Sequence, residues 1–432
     1  MSQTSVRVAL GQSAIPLGQL TYQLDGRREF SYFAYDDVWL TTRDRFAVSP
    51  DLPLVAQSQF RKAPTRHDSV FHFAFADTEP DGWGCRVIAR DHAKRRQRAL
   101  RTENPGGDVP NAKLTEIDYL LGVDDASRIG ALRLVDAQGN FLRATQEGER
   151  TTPPLLELAH LMGASRAVEM HQETEADLRY LRGRGTSLGG MRPKCSVLDE
   201  DGHLAIGKFP SVEDDRSVTR GEVLALQLAR AAGITVAEAR IVMSEDIPVA
   251  LIRRFDRAAG GRIPYLSAGS MLQASRDGDY AYSQIAECIL ANGVEPRKDL
   301  AELWRRMVFS LLITNVDDHV QNHGFLHAGH GQWRLSPAFD INPFPDKDPE
   351  LKLWLDEDYG PVDAIDAAMD RASIFHLSPD EALRILAEIV SAVRNWREIA
   401  AFPSVGMGAL DLNAFAPAFE NSQMRAAIKL VG

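Results

Sequence analysis

The chain has 432 residues, enough for two or three domains with cores of their own, and an ordinary globular composition, 44% hydrophobic and 25% charged. Its net charge of -11 argues against a protein that coats nucleic acid over its whole surface, and three scattered cysteines, Cys85, Cys195 and Cys288, build neither a disulfide framework nor a zinc ribbon. Residues Met1 to Gly18 carry no charged-then-apolar signal pattern, and no apolar run approaches the roughly 20 residues of a membrane helix, so a cytoplasmic protein without a membrane span is expected.

From about Val6 to Val135 the pattern is mostly strands and short turns. Gln19 to Leu24 alternates polar and apolar, and Asp25-Gly26 after it signals a hairpin. The aromatic-rich stretch Phe30 to Trp39 suits a strand, and Val70 to Phe75 reads as a buried one. Arg86 to Arg101 has helical periodicity with a basic face made by Arg90, Lys94, Arg95, Arg96, Arg98 and Arg101. Such a face can meet nucleic acid or an acidic partner, but a solvated face is the commoner outcome. Arg101 to Lys113 reads as a loop, Ile129 to Leu134 as a strand, and the polar, proline-bearing Gln146 to Pro154 as a boundary. Leu155 to Met162 and Thr174 to Leu181 read as helices.

Thr186 to Val197 contains the paired glycines Gly189-Gly190, which allow backbone N–H groups to approach phosphate oxygens. A plain hairpin or linker has the same composition. Leu204 to Pro210 reads as a strand carrying Lys208. Gly202 to Phe209 nearly matches a P-loop, but Phe209 stands where the Mg2+-binding hydroxyl belongs and Leu204-Ala205-Ile206 is strand-like, so the match is a decoy. A strand lysine followed by a helical glutamate, here Glu222, is instead the kinase arrangement in which the lysine holds nucleotide phosphates and the glutamate orients it. A surface salt bridge, worth at most about 1 kcal/mol, is the plain alternative. Gly233 ends the helix of Glu222. Val236 to Met243 and Val249 to Ile252 are strand-like and run into Arg253-Arg254-Phe255-Asp256-Arg257, a connection where adenine could meet backbone groups and Phe255 could either stack on the ring or pack in the core.

The remainder reads mainly as helices, including Tyr282 to Leu290, Leu300 to Ile313, Pro379 to Trp396 and Met424 to Leu430, with Ser378-Pro379-Asp380-Glu381 a helix start. At the end of the apolar run Met307 to Ile313 stands Asn315-Val316-Asp317-Asp318-His319-Val320-Gln321-Asn322-His323-Gly324-Phe325, followed by Asp340 in Phe339-Asp340-Ile341. Polar groups against a core are costly unless paired or bound to metal. Phosphoryl transfer fits the spacing: Asp317 as the base that takes a hydroxyl proton, Asn322 and Asp340 as oxygen ligands of Mg2+. A solvated loop with one cap is an equal reading of D-x-x-x-x-N alone. A His-ligated zinc hydrolase, using His319 and His323 on one helix face with His327 and His330 nearby, is a weaker alternative, because no glutamate follows the first histidine and Gly324 interrupts the helix.

Taken together, Ser187-Leu188-Gly189-Gly190-x-Arg192-Pro193-Lys194, Gly207-Lys208-Phe209-Pro210, Glu222, Arg254-Phe255-Asp256-Arg257, Asp317-x-His319-x-x-Asn322 and Phe339-Asp340 resemble the HipA family, the kinase toxins of HipBA toxin–antitoxin systems. The resemblance implies an α+β, two-lobed fold related to phosphatidylinositol kinases: a β-rich N-terminal subdomain at 1–145, a small lobe at 146–260 and a helical C-terminal lobe at 261–432. It implies a serine/threonine protein kinase using ATP and Mg2+, with Asp317 as base and Asn322 and Asp340 on the metal. Lys208 matches the phosphate-binding lysine, Arg253 to Phe255 the hinge, His319 a nucleotide contact, and Met191 to Ser196, with Lys194 and Cys195, the phosphate loop after Gly190. The targets it implies are a host protein, in particular members an aminoacyl-tRNA synthetase, and the chain itself. The implied partner is a HipB-like helix-turn-helix antitoxin, which supplies most of the affinity for operator DNA. The alternative is a non-catalytic co-repressor. The chain departs from the pattern at Gly189, where the best-known member has its phosphorylated serine, making Ser187 the candidate here. It also departs at Arg253, which replaces an acidic hinge residue, and at Asp318, which replaces a glycine.

Overall fold

The computed structural model describes residues 2–80, 82–101, 113–142, 152–185, 190–258 and 261–432. Ser187 and Gly189, most of the expected loop at 101–113 and most of the expected boundary at 146–154 lie outside the described residues. The chain divides into two compact units, one of Met1–Glu213, Ser244–Val249 and Asp256–Tyr265, the other of Asp214–Met243, Ala250–Phe255 and Leu266–Gly432.

The first unit opens with strands β1 (Ser2–Leu10), β2 (Ile15–Asp25) and β3 (Arg28–Tyr35), then β4 (Gln59–Arg61) and β5 (Leu132–Val135), in an antiparallel sheet of order β4-β3-β2-β1-β5. The expected hairpin forms where Asp25 pairs with Arg28, and Gly26 takes the left-handed φ of 64° that the turn needs. At Gly18 the sheet tolerates no side chain, since a Cβ would lie 2.2 Å from the Ala34 carbonyl oxygen and 2.7 Å from the Phe33 ring. Leu17, Leu20 and Phe33 are fully buried, and Phe33 packs on Phe75 with ring centres 5.1 Å apart.

Two segments here differ from the expectation. The strand of Phe30 stops at Tyr35, because Asp36 accepts the Val38 N–H and starts the helix Asp37–Thr41. Val70 to Phe75 is no strand: it leads into the short buried helix Phe73–Ala76, whose N–H groups at Phe75 and Ala76 bond back to the His72 carbonyl. A short apolar run does not distinguish the two by period.

The basic helix extends over Gly82–Arg101. Much of its charge is already answered within the unit: Arg90 meets Glu173 at 3.0 Å, Arg98 meets Glu175 at 3.3 Å, and Asp91 receives Arg95 at 2.9 Å and Arg182 at 2.7 Å. The helix face thus meets acidic partners at Arg90 and Arg98, while Arg95, Arg98 and Arg101 stay exposed to solvent. Helices Leu158–Glu169 and Glu175–Leu181 follow, the second capped by Thr174.

Strands β6 (Lys194–Leu198), β7 (Leu204–Lys208), β8 (Ala239–Ser244) and β9 (Ile247–Arg253) form a sheet of order β6-β7-β9-β8. A two-residue pair, β10 (Arg257–Ala258) with β11 (Gly261–Arg262), follows.

In the second unit the central element is helix Pro296–Leu312, with proline in its first turn and Leu300, Leu303, Trp304, Met307, Val308, Phe309, Leu311 and Leu312 fully buried. Burial of that many large side chains, at about 1.5–3 kcal/mol each, makes it a rigid base for the residues at its C-terminal end. Helices Val218–Ala231, Tyr282–Asn292, Pro379–Arg394 and Ser422–Val431 surround the same core. Ser378 caps and Pro379 opens the third of these as read from the sequence. The helical reading of this region misses a small sheet, β12 (Tyr265–Ser267), β13 (Gly324–Gly329) and β14 (Gln332–Leu335). The turn between β13 and β14 uses left-handed backbone at Gly329, His330 and Gly331. Among the described residues no helix is long and apolar enough to cross a membrane.

Asp51 anchors the β4 side of the first sheet. It lies 2.8 Å from His72 Nδ1 and 3.5 Å from Arg61, and it accepts the Ser49 hydroxyl at 2.6 Å. Burial opposes its charge, but the bonds from His72 and Ser49 and the charges of His72 and Arg61 outweigh burial and hold the carboxyl below its usual range. Its folded pKa thus lies below the unfolded value of about 3.9, so the stability it contributes is present above that pH and is lost as pH falls through the folded pKa. Asp51→Asn is expected to lower unfolding free energy at neutral pH by about 2–4 kcal/mol, with the gap to the parent narrowing as pH falls below the unfolded value of about 3.9. Urea unfolding at several pH values measures it, and a gap constant with pH would refute the assignment.

Candidate active site

The candidate site grows from the end of helix Pro296–Leu312. The chain leaves the helix through Thr314, in left-handed backbone at φ 56°, and the Asn315 N–H turns back to the Ser310 carbonyl at 2.8 Å. Asn315 is buried. Its amide donates to Ser310 Oγ at 3.1 Å and its carbonyl oxygen accepts the Asn342 N–H at 2.9 Å. The Phe344 N–H bonds to the Thr314 carbonyl at 3.0 Å. These bonds staple the segment that carries Asp340 to the start of the loop that carries Asp317. The hairpin β13–β14 supplies the covalent link between them, with Phe325 opposite Leu335 and the Ser336 N–H on the Gly324 carbonyl at 2.8 Å.

Asp317 is exposed, and Asn322 and Asp340 are half-buried. The Asn322 amide nitrogen donates to the Asp317 carbonyl at 3.1 Å, which turns the amide oxygen away from that carbonyl. Asp340 sits in left-handed backbone at φ 56° and accepts from the Asn342 amide at 3.3 Å. A non-glycine residue in that region is uncommon, and such residues concentrate at functional sites. His319 is half-buried, and its Nδ1 is buried with no hydrogen-bond partner among the described residues.

Asp318 was legible only as a departure from a glycine, and the structure gives it a part of its own. Its side chain is buried, with Oδ1 2.9 Å from His323 Nε2 and Oδ2 accepting the hydroxyl of the fully buried Tyr282. Burial works against its charge, yet the His323 charge and the Tyr282 hydroxyl hold the carboxyl below the usual range. Burial, then the neighbouring Asp318, push the Tyr282 hydroxyl well above its ordinary value, so it stays a donor. The loop is tied on its far side by the Ala268 N–H to the His323 carbonyl at 2.8 Å and the Gly269 N–H to the Val320 carbonyl at 3.1 Å. His319 and His323 therefore lie in turns, not on one helix face, and the helical zinc arrangement is not formed. Among the described residues the one cluster with metal-ligand spacing is Asp199, Asp201 and His203, in the β6–β7 turn.

Also in the second unit, Glu222 is buried on helix Val218–Ala231. Arg253, at the end of β9, pairs with Glu238 at 3.2 Å, and Arg254 is buried. Phe255 packs on Phe339 with ring centres 5.4 Å apart, which sets it beside the neighbour of Asp340. In the first unit, Gly190 has φ 96°, a conformation that L side chains rarely adopt, and a Cβ there would lie 2.5 Å from Lys194 Nζ. Met191 is exposed and Arg192 half-buried, whereas Lys194, Cys195 and Ser196 belong to β6. Lys194 and Lys208 are direct partners across β6 and β7, so both side chains leave the same face, and both are buried. Cys195 points the other way, toward Gly207, and its thiol is raised by burial, leaving an unreactive core group.

The loop's geometry separates two neighbouring acids by role. Asp318→Ala leaves His323 and Tyr282 buried without their anion and is expected to cost about 3–5 kcal/mol. Asp317→Ala, at the exposed position next to it, is expected to change stability by about 0.5 kcal/mol or less. Urea denaturation with an unchanged slope measures both; equal losses would show the two assignments to be wrong.

The chain matches the HipA N-terminal domain over residues 7–104 and the HipA-like C-terminal domain over residues 186–397. It is 23% identical over 344 residues to "Putative kinase Y4mE" of Sinorhizobium fredii, covering 74% of each chain. It is also 23% identical over 188 residues to a "Putative kinase" of Haemophilus influenzae, covering 38% of this chain and 55% of that one. Among solved structures it is similar to a chain of the Shewanella oneidensis MR-1 toxin–antitoxin complex of HipA, HipB and its operator DNA, at a TM-score of 0.66 and 14% identity, covering 98% of this chain and 96% of that one. At that identity the likeness is one of fold, and it bears out the α+β, two-lobed, kinase-like class. The C-terminal domain match contains every site residue named above, and with both domain matches in the family's N-to-C order the chain belongs to the HipA family.

Proposed function

We propose that this HipA-family chain is an ATP- and Mg2+-dependent serine/threonine protein kinase, acting in the cytoplasm as the toxin of a HipBA-like pair. The observation that carries the reading is the stapled pair of segments that presents Asp317, Asn322 and Asp340 from one rigid helix end. Asp317, exposed at the loop, takes the proton of the acceptor hydroxyl. The donor set suits Mg2+, which prefers hard oxygen ligands: Asn322 has its amide oxygen turned away from the Asp317 carbonyl, and Asp340 brings a carboxylate. Bound Mg2+ supplies charge neutralisation of the nucleotide phosphates. Lys194 and Lys208, buried on one face of β6 and β7 beside the Gly190 turn, are the lysines that the family resemblance ties to phosphate binding. The unpartnered Nδ1 of His319 offers a contact to the nucleotide, and Glu222 and the Arg253–Phe255 connection complete the family's set.

The substrate is a host protein, with an aminoacyl-tRNA synthetase the candidate class, and Ser187 is the candidate for self-modification. The Shewanella structure joins HipA to HipB and operator DNA, and for this chain a helix-turn-helix antitoxin would supply the DNA affinity. Its net charge of -11 predicts no tight, salt-sensitive shift of operator DNA by the chain alone.

The reading is tested by transfer of radiolabelled phosphate from ATP in a cell lysate. Asp317→Ala and Asp340→Ala are expected to lower transfer by about 100-fold or more without unfolding the chain. ATP binding should survive Asp317→Ala better than Lys208→Ala. Transfer by the parent that is undiminished in both aspartate variants, or no transfer by the parent, would overturn it.

A further inference from the structure

Lys352, outside the family's motifs quoted above, is brought by the structure to the proposed base. Its Nζ lies 3.6 Å from Asp317 Oδ1, across 35 residues of sequence. Both side chains are more than half exposed, at 62% and 61%. An ion pair of that kind is worth about 0–1 kcal/mol, so stability does not explain the placement.

The backbone under Lys352 is, by contrast, firmly built. Leu351, Leu353 and Leu355 are buried at 1%, 3% and 0% exposure, so this stretch fixes its alternate residues in the core and leaves Lys352 between them exposed. The Leu351 N–H bonds to the Val362 carbonyl at 2.8 Å, and the Lys352 N–H bonds to the Val316 carbonyl, one residue before Asp317, at 3.1 Å. The Tyr282 N–H takes the Trp354 carbonyl at 2.9 Å, and the same Tyr282 holds Asp318 through its hydroxyl. The frame that sets the catalytic loop thus also sets the lysine.

Charge supplies the reason for a cation there. The loop and the segment after it present Asp317 and Asp340 to an incoming polyphosphate, while the third acid, Asp318, is buried against His323. With Asp340 assigned to Mg2+, the Asp317 carboxylate is left to repel a phosphoryl group that carries charge on its equatorial oxygens, and phosphoryl transfer is accelerated mainly by positioned positive charge. Resting on the kinase reading above, we propose that Lys352 is a catalytic residue of that reaction, the cation that holds the transferred phosphoryl group over Asp317. In the resting chain it neutralises the base. When a nucleoside triphosphate binds, its long stem moves the ammonium from Asp317 to an equatorial oxygen of the terminal phosphate. The acceptor hydroxyl oxygen then bonds to that phosphorus and passes its proton to Asp317. The bond from phosphorus to the bridging oxygen breaks, and its electron pair leaves with the nucleoside diphosphate. Lys352 remains protonated throughout.

The test compares the full-length parent chain with Lys352→Ala and Lys352→Arg in the phosphate-transfer assay, with ATP as donor and a thermal melt as control. Lys352→Ala is expected to lower kcat by about 100-fold, with the KM for ATP within about threefold and the melting temperature nearly unchanged. Lys352→Arg, which keeps the charge, is expected to retain at least about a tenth of the parental kcat. A parent active in transfer with a fall of less than about tenfold in Lys352→Ala overturns the role of Lys352 and leaves the kinase reading standing, as does an equal loss in the arginine variant. A parent that transfers no phosphate overturns the kinase reading, and this inference with it.

Discussion

One buried carboxylate organises the loop that carries Asp317 and Asn322. A charge out of water is costly unless paired and hydrogen-bonded, and Asp318 meets that demand with two groups from different places: His323, five residues on, and Tyr282, from a helix start 36 residues earlier. Because each of the three needs the others, the backbone between 318 and 323 has little freedom. The exposed neighbours Asp317 and Asn322 inherit a fixed position without being buried themselves. The arrangement separates the group proposed to do chemistry from the group that holds it, so the former can stay open to water and substrate.

The same division runs through the rest of the second unit. Helix Pro296–Leu312 is buried along most of its length, and polar side chains near its end, Ser310 and Asn315, carry bonds outward to the segment of Asp340. Arg306, also buried, donates to the Ser336 carbonyl at 2.8 Å and pairs with Glu302, while Asp299 accepts the Leu335 N–H at 3.1 Å. The helix therefore grips both ends of the path from Asp317 to Asp340. Rigid elements hold site geometry more closely than loops do, and here two loops borrow that rigidity.

What was legible in the sequence followed from local rules. The Ser378 cap, the Asp25-Gly26 turn and the left-handed Gly233 after its helix each depend on a few adjacent residues, and the structure has all three. The order of short motifs carried the family. The features that were not legible depend on partners far apart in the chain. Asp318 and His323 gave a signal that went unused: an acid and a histidine among Val316, Val320 and Phe325, where a buried charge must find its opposite. Tyr282 and Lys352 gave none, because separations of about 35 residues have no period to read. The strand reading of Val70 to Phe75 failed for a different reason, since a run of six residues with His72 as its one polar member is too short to show a period.

The path of the chain between the two units has a consequence for how the protein can be taken apart. The chain changes unit after Glu213, Met243, Val249, Phe255 and Tyr265. No single cut separates them, and any truncation between 213 and 266 strips one unit of a piece that belongs to it. Strands β8 and β9 are the segments through which the exchange runs. Closing these long-range pairings costs loop entropy before they repay it, so neither unit can finish folding as the ribosome releases it until about residue 265 has emerged. The two units are one object in synthesis, even though each has a core of its own.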